Sequence, residues 1–296
     1  MSKSSFHNCP APAKLNLFLH VIGRKPDGYH LLQSVFQLID LCDYLHFEYR
    51  DDGKIRRLSG NEQVPEEDDL VIRAARLLQK TASERNPGQL PGANIGIEKN
   101  IPMGGGLGGG SSDAATTLLV LNRLWDCGLN REELMALGVQ LGADVPFFIF
   151  GENAYAEGIG EKLSAINTPG GFFVVIKPPV SVPTADIFRS GELTRNTEPI
   201  KIADFPGIYK NLPGFGKNDL QAVAATLFPE IATALDALGR YGKARMTGSG
   251  ACVFARFGNE TEAEEVAASL SGNWKVWAVK GLQTHPLEVL FGSKSE

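Results

Sequence analysis

Six of the seven residues from 104 to 110 are glycine, and two serines follow directly: Pro102-Met103-Gly104-Gly105-Gly106-Leu107-Gly108-Gly109-Gly110-Ser111-Ser112. A glycine inside a helix or strand costs roughly 0.5–1 kcal/mol relative to alanine, so this run belongs in a loop. Its flanks decide its kind. Residues 93–99 alternate like a strand, and residues 112–125 carry alanine and leucine at helical density. The run therefore leaves a strand and opens a helix. At such a junction glycine lets backbone N–H groups approach a ligand closely. The first N–H groups of the helix lack internal partners, and the helix dipole adds partial positive charge. Residues 102–112 are expected to hold the phosphates of a nucleotide. The hydroxyls of Ser111 and Ser112 can reach phosphate oxygens or a bound magnesium ion.

Two common phosphate loops are excluded. Gly104, Gly106 and Gly109 satisfy G-x-G-x-x-G, but a dinucleotide-binding unit needs a second strand soon after its helix. Here a second helix follows, opened by Asn130 with Glu133 as a capping box and closed at Gly142. A Walker A loop needs a lysine after its last glycine, and Gly110 is followed by serine.

The chain has 296 residues, enough for two domains of about 150. Hydrophobic residues make up 43% and charged residues 21%, an ordinary globular balance. A net charge of −5 argues against a nucleic-acid surface as the main function. Cys9, Cys42, Cys127 and Cys252 are far apart in sequence and form no CxxC motif, so they are read as free thiols. The five histidines form no HExxH pattern. No apolar run reaches the ~18 residues of a membrane span. The chain is expected to be a soluble, cytoplasmic protein with no membrane or nucleic-acid partner, monomeric or homodimeric.

Strands are expected at residues 15–22, 35–40, 44–49, 93–99, 147–150, 172–177 and 275–279. Residues 245–257 are read as a Gly-Ser-Gly turn running into a further strand. Lys25-Pro26-Asp27-Gly28 reads as a turn. Helices are expected at residues 68–80, 112–125 and 260–269, and from Asn218, capped with Gln221, to Leu227. Pro146 is expected to push Val145 out of helical geometry and so open the strand at 147. Residues 195–215 are polar and turn-rich. Elements of both kinds interleave in both halves, a mixed α and β class.

The run from Pro102 to Ala115 resembles the second motif of the GHMP kinases, the superfamily of galactokinase, homoserine kinase and mevalonate kinase. Pro12-Ala13-Lys14-Leu15-Asn16-Leu17-Phe18-Leu19, with Gly28-Tyr29-His30, is narrower. It resembles the branch whose acceptor is CDP-methylerythritol, in non-mevalonate isoprenoid synthesis. Gly142-Ala143-Asp144-Val145-Pro146-Phe147-Phe148, Val182-Pro183-Thr184 with Phe188, Asn218-Asp219-Leu220 and Met246-Thr247-Gly248-Ser249-Gly250-Ala251 match the same branch. The resemblance spans residues 11–282. It implies an α+β fold of two domains: an N-terminal nucleotide-binding domain, residues 1–160, and a ferredoxin-like C-terminal domain, residues 161–296. Substrate would lie in the cleft between them. The cosubstrate implied is ATP with Mg2+.

Read without the resemblance, Asp144 is an aspartate turning the chain at a helix end, and Lys14 a solvated lysine at a strand end. With it, Asp144 becomes the general base for the acceptor hydroxyl and Lys14 its partner, stabilising the developing alkoxide and the ionised carboxylate. Asn16 shares the strand face of Lys14, since i and i+2 point the same way, and would face the substrate too. Tyr29, His30 and Phe188 would form a cytidine pocket with stacking rings; alone, Tyr29 and Phe188 read equally as core. Thr184 would contact the substrate near Phe188. The turn at residues 248–250 either closes over the ligand or simply links two elements. No acidic magnesium ligand stands out.

Overall fold

The structure is a computed structural model describing residues 4–60, 62, 64–85, 90–201 and 215–288. Its backbone is a long antiparallel hairpin of β1 (Ser5–Arg24) and β2 (His30–Arg50). The turn between them forms where proline and glycine call for it. Gly28 has φ 93° and donates its N–H to the Lys25 carbonyl at 2.9 Å. Residues 11–21 of β1 are buried on both faces, which explains their nearly continuous apolar character. The two strands expected at 35–40 and 44–49 are one strand. The polar interruption between them is a bulge, not a turn: the register jumps from Pro12↔Cys42 to Ala13↔Ile39.

The first sheet runs β3-β4-β2-β5-β6, with β1 paired to β2. Its further strands are β3 (Ile55–Ser59), β4 (Gly92–Glu98), β5 (Ala154–Gly158) and β6 (Lys162–Ala165). β3 pairs parallel to β4 and the other pairs are antiparallel. Against this sheet pack α1 (Leu70–Arg85) and α2 (Gly109–Leu124). Residues 112–121 of α2 are all buried, so small alanines suit its central place. The helix opens at Gly109, earlier than position 112, because glycine residues tolerate the first turn that the loop imposes.

α3 (Arg131–Leu141) carries the expected capping box, with Glu133 N–H donating to Asn130 Oδ1 and Asn130 N–H to Glu133 Oε2, both at 2.9 Å. The segment expected as a strand at 147–150 is instead a short helix, α4 (Val145–Phe150). A short apolar run looks the same whether it is a buried strand or a buried helix turn. Pro146 lies in the first turn, where its missing N–H is not needed, and Val145 is helical. The gain is burial: Phe147 and Phe148 are fully enclosed.

The second sheet runs β10-β7-β9-β8, entirely antiparallel, from β7 (Phe172–Lys177), β8 (Arg245–Met246), β9 (Val253–Phe257) and β10 (Lys275–Lys280). Helices α5 (Thr184–Arg189), α6 (Gln221–Leu227) and α7 (Pro229–Gly239) separate β7 from β8, and α8 (Glu260–Leu270) separates β9 from β10. This order is the ferredoxin-like βαββαβ arrangement. A buried cluster of Ala13, Leu15 and Leu17 on β1 with Phe173, Val175 and Phe254 joins the two sheets. Backbone bonds reinforce the join: Leu19 N–H donates to the Lys217 carbonyl at 3.0 Å and Asp219 N–H to the Leu19 carbonyl at 2.8 Å. Among the described residues no single helix is long and apolar enough to cross a membrane. Most of the polar segment at 195–215 lies outside the described residues.

Asn218 and Gln221 form no capping box, since Leu220 is the N-cap of α6 and its helix start has no side-chain cap. Both amides act at longer range. Asn218 Nδ2 donates to the carbonyls of Met246 and Gly248, each at 2.8 Å, while its Oδ1 accepts the Leu220 N–H at 2.9 Å. Gln221 Oε1 accepts the Met246 N–H at 2.9 Å. Asn218→Ala leaves two carbonyls and an N–H without partners in a buried place. At about 1–3 kcal/mol for each unmet group that finds no water, the net loss should be about 3 kcal/mol. A thermal melt should show this as a midpoint several degrees lower.

Candidate active site

The glycine loop is shaped by its neighbours as much as by its composition. Gly104, Gly106 and Gly108 adopt positive φ of 63°, 74° and 76°. Lys14 N–H donates to the Leu107 carbonyl at 2.9 Å, tying the loop to β1. On its other side Ala251 N–H and Cys252 N–H donate to the carbonyls of Gly104 and Gly105 at 3.2 and 3.1 Å. The Gly-Ser-Gly turn at 248–250 is thus built against the loop. Gly108 caps α2 without any side-chain hydrogen bond, so the N–H groups of its first turn remain available. Residues 101–111 line a cavity of about 260 Å³. Ser112 Oγ is fully buried at this helix start and has no partner among the described residues.

Lys14 and Asp144 meet at the edge of that loop. Lys14 Nζ lies 3.4 Å from Asp144 Oδ2. The lysine side chain is 4% exposed and the aspartate side chain 33%, so the pair joins a buried cation to a carboxylate open to a ligand. Asp144 is the N-cap of α4 but makes no side-chain capping bond, so its carboxylate serves no local turn. Lys14 Nζ also donates to Asn16 Oδ1 at 2.6 Å and sits 5.3 Å from the centre of the Phe36 ring. Asn16 is held from both ends. Its Nδ2 donates to Ser34 Oγ at 2.8 Å, and that hydroxyl donates to the Phe18 carbonyl at 2.6 Å. Its backbone N–H donates to Thr247 Oγ1 at 2.9 Å. The bonded hydroxyl fixes which end of the Asn16 amide faces the lysine.

A cavity of about 250 Å³ carries Lys14, Asn16 and Asp144 on its wall and shares Gly106 and Gly108 with the loop cavity. On its far side it shares Leu32, Ala143, Thr184 and Phe188 with a larger cavity of about 730 Å³. That cavity holds Tyr29, which is 61% exposed, and His30. The His30 and Phe188 rings face each other at 4.8 Å and 30°. Thr184 Oγ1 and Ser249 Oγ are 2.7 Å apart, a bridge across the middle cavity. One continuous trough therefore runs from the anion loop past the Lys14–Asp144 pair to an aromatic pocket. The residues singled out from sequence lie along it, except Ser112, which is buried behind the loop and lines none of the three cavities.

Beneath the loop sits a charge cluster that the sequence did not signal. Lys99 Nζ bonds Asp43 and, at 2.7 Å, Asp113. Asp43 Oδ1 accepts the N–H groups of Asn100 and Ile101 at 2.6 and 2.8 Å, fixing the entry to the loop. Burial raises the Asp113 carboxyl, with Lys99 opposing and Asp43 adding to the rise. Burial works against the Lys99 ammonium, but the two carboxylates outweigh it and hold its pKa above the ordinary value. Ser34 and Thr247 were also not singled out as site residues. The only sequence signal for Ser34 is that Gln33, Ser34 and Gln37 interrupt an otherwise apolar stretch at residues 31–39.

Comparison with known proteins places nearly the whole chain among relatives. The sequence model of the GHMP kinases N terminal domain matches residues 69–152, and that of the GHMP kinases C terminal matches residues 198–276. A 4-diphosphocytidyl-2-C-methyl-D-erythritol kinase of Janthinobacterium sp. (strain Marseille) is 63% identical over 97% of this chain and 98% of its own. One from Herminiimonas arsenicoxydans is 62% identical with the same coverage. A crystal structure of 4-(cytidine 5'-diphospho)-2C-methyl-D-erythritol kinase superposes with TM-score 0.79 at 35% identity, covering 92% of this chain and 98% of that one. A homoserine kinase from Cytophaga hutchinsonii shares the fold, with TM-score 0.71 at 15% identity over 96% of both chains.

Proposed function

The chain belongs to the 4-diphosphocytidyl-2-C-methyl-D-erythritol kinases, a branch of the GHMP kinases, and from that premise we propose how its residues carry out the reaction. The activity is ATP-dependent phosphorylation of the 2-hydroxyl of CDP-methylerythritol, in non-mevalonate isoprenoid synthesis. The observation that carries the assignment of roles is the trough: an anion loop, a carboxylate–lysine pair and an aromatic pocket in line. This order matches a triphosphate, a reacting hydroxyl and a pyrimidine.

Residues 102–112 hold the phosphates of ATP, with loop N–H groups and the α2 dipole facing the charge. Asp144 accepts the proton of the 2-hydroxyl as its oxygen attacks the γ-phosphorus. The bond from that phosphorus to the β,γ-bridging oxygen breaks and ADP leaves. Lys14, 3.4 Å from Asp144, stabilises the developing alkoxide. Asn16 directs the ammonium and lies on the substrate wall. Tyr29, His30, Thr184 and Phe188 bind the cytidine end. The residues present also suit a magnesium ion. Ser112 Oγ is a buried oxygen without a partner among the described residues, and a hard cation takes oxygen ligands. Ser111 and Ser112 would supply the protein oxygens that hold it, and the ion would neutralise phosphate charge. We assign the protein to the cytoplasm and the domain boundary to about residue 160.

Proton-coupled phosphorus NMR of the isolated product tests the acceptor assignment. A new phosphomonoester on the tertiary 2-oxygen shows no coupling to a carbinol proton. Coupling to such protons would place the phosphate on another hydroxyl and overturn the assignment. Phe188→Ala is expected to raise KM for the cytidine substrate by about 30-fold and leave kcat within about twofold, since one stacked base contributes about 1–3 kcal/mol. Steady-state kinetics at saturating ATP check this.

A further inference from the structure

Arg195 lies at the back of the aromatic pocket and holds both of its walls. Its Nη2 donates to the carbonyls of Phe188 and Ser190 at 3.0 and 2.7 Å, and its Nη1 to the Leu193 carbonyl at 3.1 Å. These bonds fix the end of α5, which carries Phe188. Its Nε–H points at His30 Nε2, 3.2 Å away. A guanidinium has only donors and keeps its proton in proteins. His30 Nε2 must therefore be the acceptor, and the proton of the neutral ring lies on Nδ1. Nδ1 has no hydrogen-bond partner among the described residues, so its N–H is free for a ligand in the cavity.

We infer that Arg195 is a positioning residue that fixes the Nδ1–H tautomer of His30 and thereby selects cytosine over uracil. This rests on the reading of the pocket as the cytidine site. The chemistry of the two bases makes the choice. N3 and O2 of cytosine both accept hydrogen bonds, whereas N3 of uracil donates. A donor at Nδ1 satisfies cytosine N3; against uracil it opposes one N–H with another and leaves both unmet. The charged groups around His30 are Arg24 at the end of β1, Asp27 in the following turn, Arg189 on α5, and Arg195. Burial, then Arg195 and Arg24, hold the His30 pKa below the ordinary imidazole value. The ring thus keeps a lone pair for the Arg195 Nε–H.

The sign of the pH response separates this role from a structural one. In Arg195→Met the ring is released to carry its proton on Nε2 and present a bare Nδ1. Its pKa also moves up. On acidification the imidazolium forms, with N–H groups on both nitrogens, and the donor at Nδ1 returns. Calorimetric binding of cytidine diphosphate and uridine diphosphate at pH 8 and pH 5.5 reads this directly. The ratio of the two affinities cancels the titration of the diphosphate they share. Wild type should prefer the cytidine compound by about tenfold or more at both pH values. The variant should lose most of that preference at pH 8 and regain it at pH 5.5, while binding ATP normally.

A variant that keeps the wild-type ratio at both pH values, or loses it equally at both, overturns the inference. Wild-type protein with no preference at either pH overturns the pocket reading beneath it. If Arg195→Met does not fold, long-range proton–nitrogen NMR of wild-type His30 settles the tautomer. Protonated Nδ1 and bare Nε2 are expected at pH 8, and the reverse assignment overturns the inference.

Discussion

Asp144→Asn is expected to lower kcat by about 10³-fold with ATP affinity unchanged, in line with the ~10²–10⁴-fold contribution of a positioned base. The carboxylate is free for this task. It caps no helix N–H, it is one-third exposed toward the trough, and its paired side chain is Lys14 at 3.4 Å. Asparagine keeps the shape but cannot take the proton of the acceptor hydroxyl. The backbone of Asp144 is right-handed, with φ −87° and ψ −14°, which asparagine adopts without strain. The fold and the ATP loop should therefore survive, and the loss should fall on kcat. Single-turnover kinetics with ATP binding measured on the same sample check this. Turnover within tenfold of wild type would remove Asp144 from the role of base.

Gly106→Ala should raise KM for ATP by about 100-fold, the scale of a ~1 Å misplacement in a reacting site. Gly106 has φ 74°, in the left-handed region that side chains rarely adopt. A Cβ there would lie 2.3 Å from the Thr247 carbonyl oxygen and 3.2 Å from that of Gly250. Both obstacles are backbone, so the loop must move. Thr247 also receives the Asn16 N–H, so the shift reaches the Lys14 site as well. Gly110→Ala is the contrast for stability: its Cβ would meet only Leu70 Cδ1, at 3.6 Å. Thermal melts should show a lower midpoint for Gly106→Ala and little change for Gly110→Ala. ATP titration gives the binding loss.

What the sequence made legible follows from how locally each feature is encoded. The anion loop was readable because six glycines in seven positions admit few conformations, and α3 because its capping box lies within four residues. Phe147 and Phe148 misled because a fully buried apolar run has no period to read; enclosure against the core made it helical. The bulge near Asp40 misled because a polar interruption signals a turn or a bulge equally well. Asn218 and Gln221 resembled a cap by spacing, yet their amides bond residues near 246, which no local pattern reveals. Asp144 was ambiguous for the same reason, since its partner Lys14 lies 130 positions away. The resemblance to the GHMP kinases supplied that pairing, and the structure brings the two side chains together. Ser34, Lys99 and Arg195 act through contacts distant in sequence and carried no motif of their own.

The most direct test is ADP release by the purified protein with ATP, magnesium and, in separate assays, CDP-methylerythritol, homoserine or mevalonate. Turnover with the cytidine compound alone is expected, because only it can span the trough from Asp144 to the ring of Phe188. Comparable turnover with homoserine or mevalonate would contradict the cytidine pocket, and no turnover with CDP-methylerythritol would contradict the proposed reaction itself.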